Sequence, residues 1–173
     1  MKYNPEIHHR HSIRLQGFDY SSEGAYFITI CTENRENILA SIRRGDPCGR
    51  PEIELTELGR ICNNMFFRIT VMYNISISKY VIMPNHIHFM LLISRDMRAT
   101  ARVAPTVGSI VGGYKSLVEN LWLKKCKENN IYMGEIWQRN YYEHIIRDEQ
   151  DYRIKWNYID TNPLNWDKDE YNS

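Results

Sequence analysis

Tyr80-Val81-Ile82-Met83-Pro84-Asn85-His86-Ile87-His88-Phe89-Met90-Leu91-Leu92-Ile93 is the stretch on which the reading of this chain turns. Two apolar runs meet at a Pro-Asn break, which reads as a tight turn between antiparallel strands. Side chains on a strand alternate between faces. His86 and His88 therefore share one face, and Ile87 enters the opposite layer. Two imidazoles side by side on a sheet form half of a metal site, because neutral imidazole is the commonest protein ligand for divalent ions. A His-x-His pair is about equally often the plain polar face of a sheet, so the rest of the chain must supply a third ligand and a reactive group.

Working outward, the spacing predicts strands on both sides of the break, Ile75 to Met83 and His86 to Ile93. Before them, Ala25-Tyr26-Phe27-Ile28-Thr29-Ile30-Cys31-Thr32 is rich in aromatic and β-branched residues and predicts a buried strand. Arg43 to Pro51 is dense in Gly and Pro and predicts a loop. Thr56 to about Thr70 has helical periodicity, with Leu58, Ile61, Met65 and Ile69 on one stripe. After the histidine strand, Ser94 to Thr106 is a polar, basic loop. Ser109 to about Lys127 predicts a helix whose apolar side carries Ile110, Tyr114, Leu117, Leu121 and Trp122, with Gly112-Gly113 weakening its first turns. Trp137 to Ile146 predicts a short fourth strand. Asp148 can cap a last helix that runs to Asn162 and stops at Pro163. The order is strand, helix, strand, strand, helix, strand, then an added helix. That is the split β-α-β pattern of ferredoxin-like α+β folds with an antiparallel sheet.

The 173 residues are most simply one domain, 1–173, with a core from about 11 to 166, a basic arm over 1–10 and an acidic tail over 167–173. Hydrophobic content of 43% and charged content of 25% are ordinary for a globular chain. No apolar run approaches the roughly 20 residues of a membrane helix, and the N-terminus lacks the apolar centre of a signal peptide. Cys31, Cys48, Cys62 and Cys126 show no Cys-x-x-Cys spacing and read as reduced thiols of a cytoplasmic protein. A net charge of +1 does not announce a nucleic-acid binder. Basic residues nevertheless cluster at His8, His9, Arg10 and Arg14, at Arg95, Arg98 and Arg102, and at Lys124, Lys125 and Lys127, each of which can equally be solvated surface.

In the last helix Tyr152, Trp156, Ile159 and Pro163 form an apolar stripe. Asp151, Lys155, Tyr158 and Asn162 form a polar stripe beside it. Tyr158 and Asn162 are one helical turn apart on one face. A phenol and an amide so placed can serve as nucleophile and metal ligand, although most of the 12 tyrosines here will only pack.

Three segments together carry a family resemblance: Val81-Ile82-Met83-Pro84-Asn85-His86-Ile87-His88, then Trp137-Gln138-Arg139-Asn140-Tyr141-Tyr142-Glu143-His144-Ile145-Ile146-Arg147, then Tyr158-Ile159-Asp160-Thr161-Asn162-Pro163. In this order they resemble the REP-associated tyrosine transposases, within the single-tyrosine, His-hydrophobe-His nucleases of bacterial insertion sequences. Ser12-Ile13-Arg14-Leu15 through Gly24 to Thr29 resembles the opening region of that family, and Arg98 to Thr106 a segment of one branch. The resemblance covers about His11 to Trp166. It implies a ferredoxin-like sheet bearing the histidines, with a tyrosine helix laid across it. By position His86 and His88 match the metal-binding pair, Tyr158 the nucleophile and Asn162 the amide ligand. Glu143 and His144 match a Glu-His pair that stands before the tyrosine helix.

The implied activity is metal-dependent cleavage and rejoining of single-stranded DNA, in a hairpin or palindrome, by a monomer or homodimer with no membrane partner. A free tyrosine has a pKa of about 10 and is a poor nucleophile at neutral pH. A divalent ion on His86, His88 and Asn162 would neutralise charge developing on the phosphate. Mixed nitrogen and oxygen donors suit Mg²⁺ or Mn²⁺, and two imidazoles also accept Zn²⁺. Stacking faces for bases are available at Trp137, Tyr141, Tyr142 and Trp156, and phosphate contacts at Arg14, Arg95, Arg98 and Arg102. Two other readings share these residues: a domesticated hairpin-binding module that does not cut, and a histidine metallohydrolase that uses water.

Overall fold

The computed structural model describes residues 23–43, 49, 51–94 and 105–172. Arg14, Arg95, Arg98, Arg102, Cys48 and the arm over 1–10 lie outside the described residues. The elements in chain order are β1 (Gly24–Cys31), β2 (Ala40–Arg43), β3 (Glu52–Leu55), α1 (Glu57–Tyr73), β4 (Ser76–Ile82), β5 (His86–Ile93), α2 (Val107–Glu128), β6 (Tyr142–Ile146) and α3 (Glu149–Thr161). Among the described residues two short 3₁₀ turns, Glu33–Arg35 and Asn162–Lys168, accompany them.

β4, β5, β1 and β6 form one sheet in that spatial order, and every neighbouring pair is antiparallel. Among the described residues β2 and β3 pair only with each other. Without that hairpin the element order is the expected β-α-β-β-α-β with a helix added, an α+β fold. The hairpin is absent from the sequence reading because its strands are four residues each and half-exposed, too short for a period to show.

The alternation along β1 and β5 divides the molecule into two layers. Tyr26, Ile28 and Ile30 on β1, with Ile87, Phe89, Leu91 and Ile93 on β5, face α1 and α2 in the main core. α1 contributes Leu58, Met65 and Ile69 as its stripe predicts, and α2 contributes Ile110 and Tyr114. The opposite face carries Phe27, Val81 and Met90 against Ile159 of α3, with Tyr152 and Trp156 packed alongside.

The helices begin where their caps dictate. Thr56 Oγ1 accepts from the Gly59 amide at 3.0 Å to start α1. α2 starts two residues earlier than its periodicity suggested, because Thr106 and Ser109 form a reciprocal capping box. The glycine pair does not interrupt it. A Cβ on Gly113 would meet the Tyr73 hydroxyl at 2.2 Å, so the bare backbone there lets the two helices approach closely. Asp148 Oδ1 accepts from the Asp151 amide at 2.8 Å and caps α3 as expected.

Two boundaries differ from expectation. The fourth strand is only Tyr142–Ile146, and Trp137 instead makes an isolated bridge to Thr32 and packs in the core. Pro163 does not end the chain's helical course. It falls early in the 3₁₀ turn, where a missing amide proton costs nothing.

Candidate active site

β5 is hydrogen-bonded on both sides, to β4 and to β1, so its side-chain directions are fixed by the register. His86 and His88 stand on the α3 face, 0% and 1% exposed, with ring centroids 4.4 Å apart. Ile87 enters the helix layer, as the alternation requires. Register places Thr29 directly opposite His88, and Thr29 Oγ1 lies 2.8 Å from His88 Nδ1. His86 Nδ1 lies 2.8 Å from Oδ1 of its neighbour Asn85.

α3 crosses this face and brings Tyr158 beside His88. The Tyr158 ring centroid is 5.1 Å from that of His88 and 5.8 Å from that of Phe27. One turn on, Asn162 is 2% exposed, and its Nδ2 donates to Asp169 Oδ2 at 2.5 Å. The sequence-predicted His86, His88, Tyr158 and Asn162 therefore come together. Lys155, on the same helical stripe, holds its ammonium 5.1 Å from the Phe27 ring and acts on His88 electrostatically.

Three buried polar atoms here have no hydrogen-bond partner: His86 Nε2, His88 Nε2 and Asn162 Oδ1. The Asn162 side chain comes close enough to His86 to favour a charged ring, yet neither atom completes an aligned bond. Buried polar groups are rarely left this way. Two imidazole lone pairs and one amide oxygen form a donor set suited to a divalent cation. Among the described residues no three His, Cys, Asp or Glu side chains cluster for a metal, so the third protein donor would be the amide.

Burial dominates the titration of the site. It pulls the His86 pKa from 6.5 down to about 4, opposed in part by the Asp169 carboxylate and Asn162. It pulls His88 well below 6.5, with His86 and Lys155 acting in the same direction. Both rings are neutral at pH 7, the ligating form. Burial also raises the Tyr158 phenol above its usual 10, and Asp169, Tyr171 and Glu170 raise it further.

The segment after α3 takes part in a way that its acidic composition did not announce. It folds back, so that the Tyr171 ring lies 4.6 Å from His86 and 5.7 Å from His88. The Tyr171 carbonyl accepts from Asn85 Nδ2 at 2.7 Å, and Arg35 donates to the Glu170 carbonyl at 2.8 Å. Tyr158, Asn162, Lys168 and Asp169 border a cleft of about 210 Å³ beside the phenol. Thr29, Asp169 and Tyr171 were invisible to sequence reading, since contacts across a sheet or from a folded-back segment leave no local spacing.

The other predicted residues are placed differently. Glu143 pairs in register with Ile28, on the helix-layer side, and accepts from the Tyr141 hydroxyl at 3.1 Å. It is thus on the sheet face away from the histidines. His144 shares their face, but its Nε2 is engaged by Asp151 Oδ2 at 2.7 Å. Of the aromatics named as stacking faces, Trp137 is core and Trp156 lies under the Lys79 ammonium at 4.4 Å. Tyr142, 44% exposed on the edge strand β6, keeps an open ring.

Comparison with known proteins supplies a family and relatives of the same fold. The family described as "Transposase IS200 like" matches residues 21–162. An uncharacterized protein of Haemophilus influenzae is 36% identical over 98% of this chain and 96% of its own length. A REP-associated tyrosine transposase bound to a REP hairpin shares the fold at a TM-score of 0.55 and 18% identity, over 88% of this chain and 74% of its own. A protein of Deinococcus radiodurans described as a candidate transposase shares it at a TM-score of 0.51 and 12% identity, over 87% and 97% of the two chains.

Proposed function

This chain belongs to the IS200-like transposase family, a family of DNA-processing proteins, and from that premise we propose that it cuts and rejoins single-stranded DNA through Tyr158. The observation that carries the reading is the meeting of three unpartnered donor atoms, His86 Nε2, His88 Nε2 and Asn162 Oδ1, beside the Tyr158 ring. A divalent cation on those atoms, Mg²⁺ or Mn²⁺ by the mixed donor set, would supply charge neutralisation at a scissile phosphate.

The remaining chemistry falls to the chain. The neutral phenol is the resting form of Tyr158, because burial and the carboxylates of Asp169 and Glu170 oppose a phenolate. Attack requires that its proton leave as the oxygen closes on phosphorus. The new phosphorus–oxygen bond replaces the bond to the 3′ oxygen, which departs and takes up a proton. The product is a 5′-phosphotyrosyl link and a free 3′-hydroxyl. A second 3′-hydroxyl can reverse the exchange and restore the phenol, with no external energy source. Lys155 supplies positive charge on the same stripe as Tyr158, and Tyr142 offers a stacking face. The hairpin bound by the structurally similar REP-associated transposase makes a single-stranded hairpin the substrate to try first.

Tyr158→Phe is the test. It keeps the ring and removes the attacking oxygen, so DNA binding should persist while a denaturation-resistant protein–DNA adduct disappears. An adduct formed by the Phe variant would remove Tyr158 as nucleophile. Cleavage by that variant without an adduct would favour water as nucleophile, and binding by wild type without any cleavage would favour a non-cutting hairpin binder.

A further inference from the structure

The three unpartnered donors are matched by three partnered atoms on the same side chains. His88 Nδ1 meets Thr29 Oγ1 at 2.8 Å, His86 Nδ1 meets Asn85 Oδ1 at 2.8 Å, and Asn162 Nδ2 donates to Asp169 Oδ2 at 2.5 Å. Each partner comes from a different part of the chain: strand β1, the β4–β5 turn and the folded-back segment after α3. We propose that Thr29, Asn85 and Asp169 are positioning residues that decide which atom of each side chain faces the site, turning both Nε2 lone pairs and the Asn162 oxygen inward. The proposal rests on the functional reading above for what those atoms then hold.

The Asn85 case follows from hydrogen-bond accounting. Its Nδ2 donates to two backbone carbonyls, Tyr171 O at 2.7 Å and Arg35 O at 3.2 Å. Only the amide nitrogen can satisfy two carbonyls, so the amide cannot be turned over. Its oxygen must then face His86, and an oxygen that only accepts requires the proton on Nδ1. Nε2 of His86 is left as a bare lone pair. For His88, Thr29 can either donate or accept. The Thr29 hydroxyl lies near enough to the Tyr171 phenol to lower its pKa, and with the Thr29 proton directed there its oxygen accepts from His88 Nδ1. Asp169 has only acceptors to offer, which fixes Asn162 with nitrogen outward and oxygen inward. Outer partners of this kind orient imidazole and amide ligands, and losing one costs about 10–100-fold in metal affinity.

The substitution pair is Thr29→Val and Thr29→Ser. Valine keeps the β-branched shape of a strand residue and removes the hydroxyl, and serine keeps the hydroxyl. Nitrogen-15 NMR of the imidazoles in chelator-treated protein reads the tautomers with no metal or DNA present. Mn²⁺ titration by calorimetry then reads affinity. Wild type and Thr29→Ser should show Nδ1 protonated and Nε2 bare at both rings. Thr29→Val should lose the single tautomer at His88, leave His86 unchanged, and bind Mn²⁺ about 10–100-fold more weakly. Should Thr29→Val prove insoluble, Asn85→Ala gives the mirror result at His86. Protonated Nε2 in the wild-type protein would overturn the proposal, as would Thr29→Val with wild-type tautomers and affinity. Wild-type protein with the expected tautomers but no affinity for Mn²⁺ would support the positioning role and count against the metal in the proposed function. Wrong tautomers in protein that still forms the DNA adduct would do the reverse.

Discussion

Acidification should destabilise this protein through its two buried histidines, beginning at a pH where an ordinary carboxylate is still ionised. In the unfolded chain each imidazole protonates near 6.5, while in the folded chain His86 resists until about 4. Between those values the unfolded state binds more protons, so stability is complete above about pH 6.5 and falls as pH drops. The interval is 6.5 minus 4, or 2.5 pH units. At about 1.4 kcal/mol per unit, His86 alone accounts for about 3.5 kcal/mol. His88 is displaced the same way and adds to the loss. Asp151, held below its usual 3.8 mainly by its bond to His144, works in the same sense but only at lower pH. Urea unfolding of chelator-treated protein, followed from about pH 7.5 to about pH 4.5, should therefore show a falling midpoint, and His86→Gln should flatten the slope. A midpoint constant across that range, or an identical slope in His86→Gln, would refute the reasoning.

Two further substitutions probe the site and its frame. Asn162→Ala should leave the protein folded at a cost of about 1 kcal/mol for the lost bond to Asp169, yet depress adduct formation, and unchanged cleavage across a Mn²⁺ titration would leave Asn162 a packing residue. Gly59→Ala would set a Cβ 2.0 Å from the Leu39 carbonyl oxygen. That backbone contact should cost about 1–3 kcal/mol in thermal or urea unfolding, and wild-type stability would show that the Leu39 backbone can move away from α1.

How much was legible in the sequence depended on the distance over which each signal acts. The turn at Pro84-Asn85, the shared face of His86 and His88, and the cap at Asp148 are all written within a few residues, and the structure agrees with each. The one-turn spacing of Tyr158 and Asn162 is likewise local, and α3 delivers both to the histidines. Thr29 could not be picked out, because its relation to His88 exists only once β1 and β5 are in register. Tyr171 and Asp169 sit in what composition describes as an acidic tail, and nothing short of the fold shows that it returns to the site. Trp137 misled for a related reason: an aromatic beside a strand-like run scores as strand, and only the bridge to Thr32 shows that the pairing breaks and resumes at Tyr142.

The proposed site joins two elements of unequal anchorage. β5 buries seven of its eight residues and is paired on both edges, so its amides should be among the last in the molecule to exchange with deuterium. α3 fully buries only Ile159, and should exchange at a much lower opening free energy. The histidine half is thus part of the global fold, while the tyrosine half rides on a unit able to lift by itself. A strand of DNA could gain entry by displacing α3 alone, leaving the sheet and its two imidazoles undisturbed. Amides of β5 and α3 exchanging together, at one common free energy, would show instead that the two halves open only when the whole molecule does.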